Sequence, residues 1–181
     1  MSYTTPPTFV AADPLAAADL NILGDDIEYL YGVAQGVTAS GVQVTRTATQ
    51  SISTSSSTDV SFSAEVWDLG GWWSSGTTIT VPAGAIPAGF TSILVHCEAE
   101  VRWAANATGA RAMTFYKNGS AVDPGRRFAA VGGGDSTDIG FSRYISVVSG
   151  DTITLRVYQN SGGSLNVSNA VVSVMRHAPE A

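Results

Sequence analysis

The run FSRYISVVSGDTITLRV, residues 141–157, is the most telling stretch of this chain. Phe141, Ile145 and Val147 fall on one side of an extended chain, Gly150-Asp151 turns it, and Ile153, Leu155 and Val157 resume the alternation on the way back. Successive side chains of a strand point to opposite faces, so a period of two marks a sheet with one face buried. The expected element is a β-hairpin. Gln159-Asn160-Ser161-Gly162-Gly163 then forms a loop, and a last apolar strand covers residues 165–175.

On both sides of this run the same period recurs. Ile93, Val95, Cys97, Ala99, Val101 and Trp103 alternate with His96, Glu98, Glu100 and Arg102, the longest clean alternation in the chain and the expected central strand. Val60, Phe62, Ala64 and Val66 alternate with Asp59, Ser61, Ser63 and Glu65, which reads as one half-buried strand. Asn118-Gly119 supplies the two positive-φ corners of a tight hairpin turn. Trp72 and Trp73 are adjacent, so in an extended chain they point to opposite faces. Short strands with turn signals between them predict a mainly β sandwich or jelly roll of about eight strands.

Composition narrows the function classes. Of 181 residues, 44% are hydrophobic and 13% charged, so Ser, Thr, Asn and Gly must cover the solvent side of the strands. A net charge of -6, with nine Lys plus Arg spread along the chain, offers no phosphate-neutralising stripe, and nucleic acid is not an expected partner. There is no run of about 18 apolar residues and no signal-peptide pattern, so neither a membrane nor a secretory route is expected. Cys97 is the single cysteine, which excludes an internal disulfide.

The first 41 residues read differently. Residues 1–12 contain Pro6-Pro7 and no periodicity, which predicts an extended arm. Asp13-Pro14 supplies a helix start, and Ala16, Leu20, Leu23, Ile27, Leu30, Ala34 and Val37 then recur at steps of four and three, the seam of a short coiled coil. Asp19, Asp25, Asp26 and Glu28 stay off that seam. Self-association through this helix is expected in preference to its lying on its own domain. The chain divides at residues 1–41, arm, helix and linker, and 42–181, the β knob.

The strand ending at Trp103, the Lys117-Asn118-Gly119 hairpin, the Trp72-Trp73 to Val81-Pro82 strand and the Gly150-Asp151 turn together resemble the C1q/TNF-like jelly roll over about residues 43–178. That resemblance implies a trimeric module that builds binding surfaces rather than active sites. Thr8-Phe9, Asp13-Pro14-Leu15, Ala18, Leu20-Asn21 and Asp25-Asp26-Ile27 look like the leading segment of tailed-bacteriophage structural proteins, in which a short helical anchor precedes a fibre or knob. The resemblance implies attachment to a major capsid protein or another virion protein through residues 1–30.

Candidate chemistry is sparse. Gly134-Asp135-Ser136 resembles an esterase nucleophile segment, but only His96 and His177 are available as bases, and the glycine run accounts for the segment as a loop. Catalysis, cofactors and metals are not expected. Trp72, Trp73, Asp135 and Asp138 are the candidate ligand-facing loop residues, the tryptophans as stacking surfaces for sugars. Tyr116, Tyr144 and Tyr158 fall on the outward register and are expected to line the subunit interface of a homotrimer. The expected function is a trimeric, non-enzymatic capsid decoration or head-fibre protein on a virion surface, made in the host cytoplasm. The alternatives are a receptor-binding tail-fibre tip that takes a host cell-surface glycan and, behind it, a sugar-binding module or esterase.

Overall fold

The computed structural model describes residues 39–129 and 135–180. The arm, the helix seam from Ala16 to Val37 and the Gly132-Gly133-Gly134 loop lie outside the described residues. Among the described residues, two antiparallel sheets of six strands each face one another. The first sheet is built around β6 (Ser92–Trp103), which lies between β10 (Thr137–Val147) and β12 (Leu165–Glu180). β1 (Gly41–Arg46) pairs β12 on its other side, and β4 (Ala64–Leu69) follows β1 at the edge, while β2 (Gln50–Ile52) also pairs β12. The second sheet centres on β11 (Thr152–Gln159) and β7 (Ala110–Lys117), with β3 (Ser56–Asp59) and β5 (Ile79–Thr80) beside β11. β8 (Ser120–Ala121) and β9 (Arg126–Ala129) sit beside β7.

Inward residues of both sheets form one core. Val95, Cys97, Val101 and Trp103 meet it from β6, and Met113, Phe115, Leu155 and Val157 from β7 and β11, each at most 1% exposed. Phe115 and Phe141 stack across the sheets with centroids 4.9 Å apart. Cys97 behaves as a small apolar side chain; its burial raises the thiol pKa far above the ordinary range. Among the described residues Arg111, Thr137 and Gln159 are polar and also occupy inward strand positions. Gln159 donates from Nε2 to the Ile52 and Gly163 carbonyls at 2.9 and 2.8 Å. Arg111 donates to the Asn106 and Thr108 carbonyls at 2.9 and 2.8 Å, which ties down the loop between β6 and β7.

The expected hairpin at Gly150-Asp151 is corrected. β10 pairs β6 and β11 pairs β7, so the two strands belong to opposite sheets and the turn is a crossing between layers. Period two reports which face a residue takes, not which strand lies beside it. The second correction has the same origin. Val60 and Phe62 are buried, but Val66 is 57% exposed, because the chain passes from β3 in one sheet to β4 in the other between them and the alternation restarts. The Asn118-Gly119 hairpin forms as expected: Lys117 pairs Ser120, with φ of 50° at Asn118 and 78° at Gly119.

Asp151 fastens the layer crossing. Its carboxylate accepts from the Val148 N–H at 2.8 Å and Asn118 Nδ2 at 2.7 Å, and pairs Lys117 Nζ at 3.0 Å. Burial pushes the carboxyl pKa up, but the Val148, Asn118 and Lys117 contacts outweigh it and the net shift is downward. A carboxylate with a depressed folded pKa contributes stability above its unfolded pKa and loses it as pH falls. Stability is therefore expected to hold from neutral pH to about 5 and to decline below about 4. Asp151→Asn costs about 2 kcal/mol at pH 7 and flattens that acid limb, as read by urea unfolding against pH.

Candidate functional site: the outer face of the first sheet

The largest concentration of uncovered rings among the described residues lies on the solvent face of the first sheet. Tyr144 of β10 is paired with His96 of β6, which is paired with Met175 of β12, so these three form one row across neighbouring strands. A register shift between Arg176 and Ala178 inserts an extra residue into β12 there. Such a bulge re-aims a side chain, and His177 reaches the same row. The Tyr144 ring lies 4.9 Å from both imidazoles, centroid to centroid. Tyr144 is 54% exposed and Met175 47%, so a large ring and a thioether face water, whereas the outward positions on either side of Tyr144 in β10 carry serine.

The next two rows each carry a glutamate. Ser142, Glu98, Ser173 and Gln43 make one, and Gly140, Glu100, Val171 and Thr45 the other. Gln43, Glu98, Glu100, Val171 and Ser173 line a shallow depression of about 210 Å³. Beyond them Arg102 donates to both carboxylate oxygens of Asp138 at 2.8 and 2.9 Å. At the other end Ser92 and Ser146 donate to the Glu180 carboxylate.

The three tyrosines do not share a surface. Tyr144 is on the first sheet, whereas Tyr116 and Tyr158 are half-buried on the outer face of the second. Arg156 lies over the Tyr116 ring at 4.0 Å and pairs Asp59 at 2.7 Å, so that ring is already partly covered from within the subunit. Their outward orientation was legible from the alternation; their division between layers was not.

The candidate ligand-facing residues are also redistributed. Trp72 is 1% exposed and donates from Nε1 to Ser40 Oγ at 3.1 Å, which makes it a core residue and corrects the expectation of a loop-facing ring. Trp73 is half-buried and packs against the core. The Asp68 carboxylate accepts from the Gly71, Trp72 and Trp73 N–H groups, each at 2.9 Å, and so holds the pair in place. Asp138 is a strand residue; hydrogen bonds from Arg102 hold its carboxyl below the ordinary range. Asp135 is exposed ahead of β10. Ser136 adjoins Thr137, which pairs Trp103, while both imidazoles gather at Tyr144, seven residues further along β10. Ser136 lies eight residues before Tyr144, so at about 3.3 Å per residue it is roughly 26 Å along the strand from the row that holds both histidines, far outside proton-transfer reach.

This sandwich is a C1q/TNF-like jelly roll. Murine APRIL superimposes with a TM-score of 0.52 at 14% identity, covering 77% of this chain and all of that one. The PRD1 vertex protein P5 does so with a TM-score of 0.54 at 21% identity, over 80% of this chain and 74% of that one. The globular domain of zebrafish complement 1qA covers 76% of this chain at 13% identity with a TM-score of 0.43. No protein-family model matches the chain, and no curated protein sequence matches it.

Proposed function

We propose that this protein is a non-enzymatic, trimeric structural component of a tailed-phage particle, a capsid decoration or head-fibre protein that displays its β knob on the virion surface. The single observation that carries self-association is the row of Tyr144, His96, His177 and Met175, which runs from the edge strand β10 over β6 to β12 on the outer face of the first sheet. Each aromatic ring covered by a second copy leaves water at small cost in side-chain freedom, so such a row favours contact between copies. The placement on a particle draws its support from the likeness to a vertex protein and from the phage-like pattern of residues 8–27. In this reading residues 1–30 dock on the major capsid protein or another virion protein.

Light scattering on the full chain at micromolar concentration tests the assembly. A mass three times that of one chain is expected, and a single-chain mass overturns the reading. Electron microscopy of particles with and without the protein tests the position. Density lost from the head is expected; density lost from the tail tip favours the receptor-binding alternative, in which the knob takes a host glycan. Density unchanged in both places removes both particle roles.

A further inference from the structure

The face assigned to self-association carries two imidazoles at its centre, and any role they play there rests on that assignment. We propose that His96 and His177 make the assembly acid-labile: copies hold together while both rings are neutral and separate as the rings take up protons.

The geometry of the row supplies the reason. Both imidazoles contact the Tyr144 ring at 4.9 Å, and Met175 adjoins His96 on the next strand. Across the strands the row therefore offers the two imidazoles an aromatic ring and a thioether, while Glu98 follows His96 one rung along β6. A second copy laid over this row takes the imidazoles out of water and leaves them facing apolar atoms. A neutral imidazole tolerates that transfer, but an imidazolium loses hydration that no apolar neighbour replaces. Two charged rings held against one tyrosine also repel each other, and around a threefold axis the pair occurs three times.

The other charged groups of the face leave this balance in place. Glu98 and Glu100 of β6 lie one and two rungs away, beside the depression, and both are exposed to water. From β12, Glu180 is held by Ser92 and Ser146, and Arg176 donates to the Ala85 carbonyl. β10 contributes Tyr144 between Ser142 and Ser146, and β1 contributes Gln43. Arg102 and Asp138 neutralise each other at the far end.

Linkage sets the direction of the pH effect. If covering disfavours the charged ring, the assembly binds fewer protons than the free copies, so lowering the pH through the histidine range shifts material toward free copies. Neutral-pH cohesion and release on acidification is the behaviour expected of such a cluster.

Sedimentation of the full chain over a concentration series, at pH 7.5 and 5.5, reads the effect. The dissociation constant is expected to rise about tenfold or more between the two values, with far-UV circular dichroism unchanged. For the double variant His96→Gln/His177→Gln, the two constants are expected to agree within about twofold, whatever their absolute value. A wild-type constant that stays level or tightens at pH 5.5 overturns acid lability and leaves self-association standing; tightening would mean that Glu98 captures the charged ring. An equal rise in the double variant overturns it as well, since the protons then act elsewhere. A single-chain mass at pH 7.5 overturns the self-association reading itself, and acid lability with it.

Discussion

Trp72→Ala is expected to lower the unfolding free energy by about 4 kcal/mol, the cost of removing a large buried side chain whose site cannot collapse. Trp72 is 1% exposed, and its indole N–H is spent on Ser40 Oγ. Its backbone N–H is held by Asp68, so neighbouring atoms cannot easily move in to fill the space. Trp73→Ala, at a half-buried position, is expected to cost about half as much. Chemical denaturation of the two variants side by side measures the difference. Equal, small losses for both would mean that the Trp72 ring is not buried. The comparison also guards against misreading a binding assay, because any loss of glycan binding in Trp72→Ala must first be corrected for the fraction unfolded.

Tyr144→Glu is expected to weaken association between copies about a hundredfold while leaving the unfolding free energy of a single copy within about 0.5 kcal/mol of wild type. The asymmetry follows from exposure. Tyr144 is 54% exposed in the isolated chain, so the fold loses little when the ring is replaced. A second copy covering the same row would meet a carboxylate in place of the ring, one rung from Glu98 on the neighbouring strand. Tyr116→Glu serves as the contrast, because it lies on the other sheet and its ring is engaged by Arg156. Light scattering reports the mass and denaturation the stability. If Tyr116→Glu dissociates the protein and Tyr144→Glu does not, the association face belongs to the second sheet.

Much of the architecture was readable from residue order. The alternation over Ile93 to Trp103 named the inward side of β6 correctly at every position, since a half-buried strand separates apolar from polar residues mechanically. Asn118-Gly119 announced its turn because few other dipeptides accept positive φ at both corners. Gln159 and Arg111 were harder. Each occupies an inward position, and only the carbonyls of Ile52, Gly163, Asn106 and Thr108 explain how a polar group is tolerated there.

The candidate site was legible only in part. His96, Tyr144 and Met175 are separated by tens of residues, and their facing direction was available from alternation alone. That they form one row depended on β6 lying between β10 and β12, and the arrival of His177 depended on a bulge.

Residue order alone was enough for the class of structure, the face taken by residues within one uninterrupted strand such as β6, and the tightest turn, because these follow from local backbone geometry and from the separation of apolar and polar groups. Three-dimensional pairing was needed to learn that residues 141–157 cross between layers, that Tyr144 stands apart from Tyr116 and Tyr158, and that two histidines flank it. Strand partnership arises from hydrogen bonds between distant segments, and a period of two is the same whichever segments pair.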